Sequence, residues 1–375
     1  MSKRVLYVAT VVKTHIMHFH IPYLKMFKEW GWHTTVAARN DYEVPSQCSI
    51  PYCDEYIDIA FERSPLKLAN FKAYRQLKKI IEEGNFDIVH CHTPVAAMLT
   101  RFAAIRARKH GTKVFYTAHG FHFFKGAPLL NWLIYFPVEW LCSFMTDTLI
   151  TINQEDYALA KKHMHAKCIE YVPGVGINIE HYQNATCDRT EVRRQIGIPE
   201  EAIMLLSVGE LNDNKNHQVI IKALSCLSEM EHLHYVVAGS GPNEEKLKEQ
   251  AQALGLSDRV HILGYRTDIP QLNQIADIFC FPSLREGLGL AALEAMASGV
   301  PIITSNVHGI NDYSKTGVTG YQCAPDDVQG FADAIRTMSI NHDMRKKMGN
   351  DVRSLVRKYD QKAVLEKMKQ IYDIH

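Results

Sequence analysis

FPSLREGLGLAALEAMASGVP, residues 281–301, joins a buried apolar run, Ile278–Phe281, to a glycine turn and then to a helical pattern opening near Leu288. Gly299 stands where a helix C-cap needs a left-handed residue, and Pro301 forbids the helix from resuming. Strand, glycine turn and helix in succession are part of a βαβ unit. The glycines let backbone N–H groups approach a ligand, and the helix start adds partial positive charge, so Gly287, Leu288 and Gly289 suit an anion. Glu286 lies just before the helix, near that anion. Glu294 lies about two turns in, where it can accept hydrogen bonds from ribose hydroxyls. Taken alone, Glu286 reads more readily as a loop residue on the surface and Glu294 as a salt-bridge partner on a helix. Both together, with this turn and cap, point to a ligand.

Working outward, short apolar runs alternate with longer amphipathic ones. In the first half, strands are expected at Val5–Ala9, His33–Ala37, Ile88–His90, Val114–Tyr116 and Thr148–Ile152, with helices at Phe71–Glu83 and Val95–Lys109. Val172-Pro-Gly-Val-Gly-Ile-Asn178 breaks the pattern as a linker does. A second series follows: Met204–Val208, His217–Met230, His234–Ala238, Glu244–Leu254, Val260–Leu263, Ile278–Phe281, Leu290–Ala297 and Ile302–Thr304. Its strands are nearly all apolar, as strands covered on both faces are. The expected fold class is α/β, two doubly wound halves, 1–172 and 173–359. Ligands of such sheets sit at the carboxyl ends of the strands, and a cleft between the halves is the expected site.

The 375 residues, 46% hydrophobic and 22% charged, can fill two cores and are not those of a disordered chain. Net charge is +1, so nothing points to nucleic acid. Residues 1–172 hold 21 Lys+Arg against 15 Asp+Glu, net +6, and the remainder 21 against 26, net −5. That asymmetry suggests different partners for the halves. Nine scattered cysteines without a C-x-x-C pair fit reduced thiols and a cytoplasmic location. No stretch suits a spanning helix, Ala127–Met145 being interrupted by Asn131, Pro137 and Glu139.

Three further groups carry chemistry. In SVGELNDNKNH, Gly209 ends a strand and Lys215 ends the turn, placed as a point charge for a diphosphate or as a solvated lysine. AGSGP, residues 238–242, contributes Gly241 but fails the dinucleotide fingerprint, because Glu244 occupies its last glycine position. The first half supplies His15, His18 and His20 after its first strand, His90 and His92, and His119 and His122 in YTAHGFHFF. His90, His92 and His119 follow strands and are expected to face the cleft, hydrogen-bonding sugar or phosphate, with core or surface positions as the alternative for some of the histidines. The H-x-H pairs lack a carboxylate or Cys pair at ligand spacing, so no metal is expected. Phe121–Met145 is rich in aromatics and reads either as a core helix or as a surface resting on anionic lipid headgroups.

These motifs resemble those of the retaining family-4 glycosyltransferases, across nearly the whole chain. The most specific is E-x(7)-E from Glu286 to Glu294, supported by SVGELNDNK, AGSGP, GYRTDIP at 264–270 and the His119 segment. The resemblance implies the GT-B fold, two Rossmann-like domains facing across a cleft, the first binding the acceptor and the second the nucleotide sugar, with a helix at about 360–375 crossing back. It assigns Glu286 to the donor sugar, Glu294 to the ribose, Lys215 to the diphosphate and His119 to the transferred sugar. His15, His18, His92 and His122 fall on the acceptor side. The family has arginine where this chain has Glu210; either Arg266 or Arg285 substitutes, or Glu210 turns away, or catalysis is impaired, which is the motive for a non-catalytic reading.

The implied activity is transfer of a sugar, with retention, from a nucleotide-diphosphate donor, a UDP-sugar, to a lipid-linked saccharide in surface-polysaccharide synthesis. No cofactor or metal is expected, the nucleotide sugar being a co-substrate, and peripheral contact with the inner face of the cytoplasmic membrane is a further expectation. The competing readings are a UDP-N-acetylhexosamine 2-epimerase, a soluble disaccharide-forming enzyme and a non-catalytic nucleotide-sugar-binding partner.

Overall fold

The computed structural model describes residues 2–62, 64 and 67–373. The chain divides into two compact units, Met1–Val175 with Val364–His375, and Gly176–Ala363. The division therefore falls slightly later than the expected 172/173. The C-terminal helix is described over Gln361–Asp373, and the division runs through it; positions 374 and 375, included in the expectation, lie outside the described residues.

The first unit is built on seven parallel strands: β1 (Arg4–Val11), β2 (His33–Arg39), β3 (Glu55–Asp58), β4 (Ile88–His92), β5 (Lys113–Ala118), β6 (Thr148–Thr151) and β7 (Cys168–Tyr171). They lie in the order β3-β2-β1-β4-β5-β6-β7. Side chains alternate between faces along a strand, and both faces are covered. Leu6 and Val8 of β1 join a core with Ala73, Leu77 and Ile81 of the helix Ala69–Glu83. Val5, Tyr7 and Ala9 join a second core with Leu24, Phe27 and the late residues Val364, Met368, Ile371 and Tyr372.

The second unit has six parallel strands: β8 (Ile203–Val208), β9 (Leu233–Ala238), β10 (Val260–Ile262), β11 (Ile278–Phe281), β12 (Ile302–Ser305) and β13 (Gly320–Cys323). Their order is β10-β9-β8-β11-β12-β13. Counted from its own first strand, each unit follows 3-2-1-4-5-6, the doubly wound order of dinucleotide-binding folds, with β7 added at one edge. Ligand loops accordingly gather at the carboxyl ends of β8, β11 and β12, and of β1, β4 and β5.

Three strands were not expected: β3, β7 and β13. Each is the outermost strand of its sheet, and an edge strand is covered on fewer sides and carries polar residues that blur its pattern. The helix expected over His217–Met230 stops at Ser225. There the Ser225 hydroxyl donates to the Lys222 carbonyl at 2.7 Å, competing with the helix's own bonds.

Candidate functional site

In the second unit the turn after β8 is stitched to the turn after β11. Asn212 accepts from the Lys215 N–H at 3.0 Å. The Asn214 amide donates to the Arg285 carbonyl at 3.0 Å, and Leu284 N–H donates to the Asn214 carbonyl at 2.7 Å. Asn216, at φ +53°, donates to the carbonyls of Pro282 at 3.1 Å and Pro325 at 2.8 Å. This stitching brings Lys215 and Glu286 together, Nζ to Oε1 at 2.5 Å, with side chains only 22% and 13% exposed. The ammonium also lies 5.1 Å from the centre of the Phe281 ring.

The helix Leu290–Ser298 starts beside Glu286, at left-handed Gly289 (φ +89°), with no side-chain cap and no acid in its first turn. Ala292 N–H donates to the Gly289 carbonyl at 3.2 Å, and the N–H groups ahead of it are those a helix start offers to an anion. A Cβ on Gly289 would lie 2.5 Å from a Phe281 ring carbon, so only glycine makes this turn. Glu294 is a little over one turn in, because the helix begins at Leu290 rather than near 288. Burial raises its carboxyl above the usual range, and a hydrogen bond from the Tyr182 hydroxyl pulls the other way. Behind the turn, Gly309 N–H donates to the Glu286 carbonyl at 3.2 Å. A Cβ on Gly309 would stand 1.9 Å from the Gly287 oxygen. The Tyr313 hydroxyl and Ser283 Oγ are buried without hydrogen-bond partners.

Tyr182, Tyr313 and Gly309 escaped the sequence reading, because none sits in a recognisable motif. Of the other expected donor-side residues, Gly209 lies under the Lys215 stem, its hypothetical Cβ 3.4 Å from that side chain. Gly241 packs against the Leu211 backbone at distances no side chain tolerates, which accounts for the glycine without a ligand. Arg266 is engaged by Asp268 through two bonds of 2.8 and 2.6 Å. Arg285 contributes its backbone carbonyl to the stitching. Glu210 is exposed, and its carboxylate accepts from the Asn212 amide at 2.9 Å, so it is turned to its own loop.

In the first unit, His15, His20, His92 and His119 form one cluster. Local spacing gave no hint of it, since His92 ends β4, His119 follows β5, and His15 and His20 lie in the helical turns after β1. Burial holds His119 down at about 4, so its imidazole is neutral near pH 7. His90, expected to face a cleft, is instead a core residue. Its two nitrogens meet the Tyr372 hydroxyl at 2.6 Å and Thr117 Oγ1 at 2.8 Å. His18 is exposed with Nδ1 on the Lys13 carbonyl at 2.9 Å. His122 stacks on Tyr135, ring centres 4.6 Å apart.

His15 and His122 line a cavity of about 400 Å³ with Thr10, Thr93, Ile134 and Val138. Thr93 has φ +62°, a strained conformation for a β-branched residue, and strain of this kind clusters at ligand sites. It is held by a 2.7 Å hydroxyl contact with Thr10. Ile134 and Val138 belong to the helix Leu129–Ser143, which packs Trp132, Tyr135 and Phe136 against the core and leaves other apolar residues exposed. Its buried residues are Glu139, Cys142 and Ser143. Glu139 pairs with buried Arg101 at 2.8 Å and accepts from the Tyr116 hydroxyl at 3.1 Å. Leu129, Leu130, Leu133, Leu141 and Phe144 are exposed. Among the described residues no helix is long and apolar enough to cross a membrane.

Two parallel open sheets of the same strand order, one carrying a paired lysine and glutamate at an uncapped helix start, define an α/β enzyme of the GT-B class. Residues 4–153 match the family profile described as Glycosyl transferase 4-like, and residues 188–355 the one described as Glycosyl transferases group 1. A Bacillus subtilis protein described as glycosyltransferase EpsD is 40% identical over 378 residues, covering 100% of this chain and 97% of the relative. The chain belongs to the family-4, or group 1, glycosyltransferases. The Escherichia coli UDP-Gal:alpha-D-GlcNAc-diphosphoundecaprenol alpha-1,3-galactosyltransferase is 27% identical, over 81% of this chain and 80% of its own. Anabaena HepE, solved in complex with UDP and glucose, shares the fold at a TM-score of 0.82, 18% identity and full coverage of both chains.

Proposed function

We propose that this glycosyltransferase moves a sugar, with retention, from a UDP-sugar to a hydroxyl of a lipid-linked saccharide in surface-polysaccharide synthesis. The observation that carries the reading is the Lys215–Glu286 pair at the uncapped start of Leu290–Ser298, with Glu294 one turn in. A diphosphate would compete with Glu286 for the Lys215 ammonium, and the displaced carboxylate would then serve the sugar hydroxyls. Lys215 and the helix-start amides would stabilise charge growing on the leaving diphosphate; one such donor is typically worth about 3–4 kcal/mol of barrier. The departing phosphate would take the acceptor's proton on the face it leaves. Glu294, held by Tyr182, would accept from the ribose. The positive charge needed at the diphosphate is thus supplied by protein, and this reading assigns no metal to the donor.

The choice of UDP and of a lipid-linked acceptor is supported by the E. coli relative, named for both, and by HepE, which holds UDP. The acceptor side is assigned to the first unit: His119 beside the transferred sugar, with His15, His18, His92, His122 and the 400 Å³ cavity. The exposed apolar face of Leu129–Ser143 and the basic charge of this unit support peripheral contact with an anionic leaflet. Glu210, which motivated a non-catalytic reading, faces Asn212 and leaves the Lys215–Glu286 pair intact.

A panel of nucleotide sugars tests the proposal. A UDP-sugar should raise the melting temperature, and UDP should be released only when a lipid-linked acceptor is added. An isomerised sugar formed without acceptor, or binding without turnover on any such acceptor, would overturn it. Flotation with anionic liposomes at low salt, lost at high salt, tests the membrane contact.

A further inference from the structure

The acceptor-side role proposed for His15, His92 and His119 does not account for how closely these rings gather with His20. His15, His20, His92 and His119 each offer one ring nitrogen, and those four atoms lie within 4.8 Å of one another. His15 is 9% exposed, His20 and His92 1%. Buried ring nitrogens normally have partners. Yet His15 Nε2, both nitrogens of His20 and His92 Nε2 have none. The contact between His92 Nδ1 and His119 Nε2 measures 3.3 Å. That is long for a hydrogen bond, and it equals the edge of a tetrahedron with metal–nitrogen distances of about 2.0–2.1 Å, which is about 3.3–3.4 Å.

A small void of about 10 Å³, lined in part by His20, His92 and His119, adjoins the group. Space of that order admits one small species. His15 also lines the larger cavity, which gives an ion a way in. Among the described residues the group includes no carboxylate, so hard cations such as Ca²⁺ and Mg²⁺ are poorly served, whereas imidazole suits zinc-like ions.

We propose that His15, His20, His92 and His119 bind one divalent transition-metal ion, with the tetrahedral nitrogen chemistry of Zn²⁺. The ion ties the helical turns after β1 to the ends of β4 and β5. It fixes the orientation and tautomer of His119, leaving that ring's other nitrogen for hydrogen bonding. The inference does not rest on the diphosphate reading, whose Lys215, Glu286 and Glu294 belong to the second unit.

Untagged protein stripped with chelator and titrated with Co²⁺ provides the test. The expected result is about one Co²⁺ per chain, with the intense visible bands of a four-coordinate ion, lost on adding Zn²⁺. The melting temperature should rise with either metal. His15→Gln and His92→Gln should each weaken uptake at least about tenfold, whereas His18→Gln, at an exposed neighbour, should leave it unchanged. If the buried variants fail to fold, zinc-edge X-ray absorption of the wild-type chain decides, four nitrogens at about 2.0–2.1 Å supporting the site. Six-coordination, uptake below about 0.1 equivalent, or wild-type uptake by both folded Gln variants would overturn it. UDP affinity, measured on stripped and loaded protein, should be the same in both; this separates failure of the metal site from failure of the donor reading.

Discussion

Gly309→Ala places a methyl group 1.9 Å from the Gly287 carbonyl oxygen, where comfortable contact begins at about 3.5 Å. One of the two peptides must move by more than about 1 Å. Gly309 does not have a positive φ, so backbone strain does not enter. At an open position the same change would stabilise by about 0.4–1 kcal/mol through the unfolded chain. Against a fixed carbonyl, overpacking costs about 1–3 kcal/mol instead. For a unit of this size each kcal/mol lowers the melting temperature by about 2–4 °C. Gly287 belongs to the turn whose amides are assigned to the diphosphate, and misplacement by about 1 Å in such a site costs on the order of 100-fold in turnover. Thermal melts, UDP calorimetry and acceptor-dependent UDP release measure the three effects. A variant that melts at or above the wild-type temperature and turns over normally would refute the reasoning.

Lys215→Ala and Glu286→Ala should each lower kcat at least about tenfold with the circular dichroism spectrum preserved; wild-type rates from both would end the donor assignment. Tyr182→Phe removes the hydroxyl that donates to Glu294 and should weaken UDP binding about tenfold; unchanged calorimetry would mean Glu294 needs no such support. Asp147, 4% exposed, tests the acid side. Burial alone would raise its carboxyl, but Arg108, Lys167 and the Val114 N–H outweigh it and hold it at about 2. A depressed carboxyl stabilises the fold above its unfolded value and loses that contribution as pH falls from about 4 toward 2. Asp147→Asn should therefore cost about 2 kcal/mol at pH 7, and less at pH 3, in urea unfolding; an equal loss at both would contradict the assignment.

The second unit was legible because its chemistry is local. Phe281 to Pro301 carries strand, turn, anion site and cap within one segment, and the partner Lys215 ends a turn of its own. What escaped was assembled by tertiary contact. Tyr182 reaches Glu294 from a short helix more than a hundred residues earlier, and Gly309 matters only because a carbonyl lies against it. The histidines were visible one by one, but spacing arguments detect a cluster on a single element, and these come from the helical turns after β1 and the ends of β4 and β5. Glu139 misled in the opposite direction. A charge inside an apolar run reads as an interruption, whereas here it is the residue that faces inward, because Arg101 and Tyr116 receive it.

The packing of Val364, Met368, Ile371 and Tyr372 into the first unit's core has a consequence for biogenesis. A ribosome delivers β1 first and these residues more than three hundred and fifty codons later, after the whole second unit has emerged. The Tyr7 and His90 side chains that meet Tyr372 at 2.7 and 2.6 Å must wait for it. The first unit thus closes only after the second has been made, and until then the apolar face that these residues cover is left open.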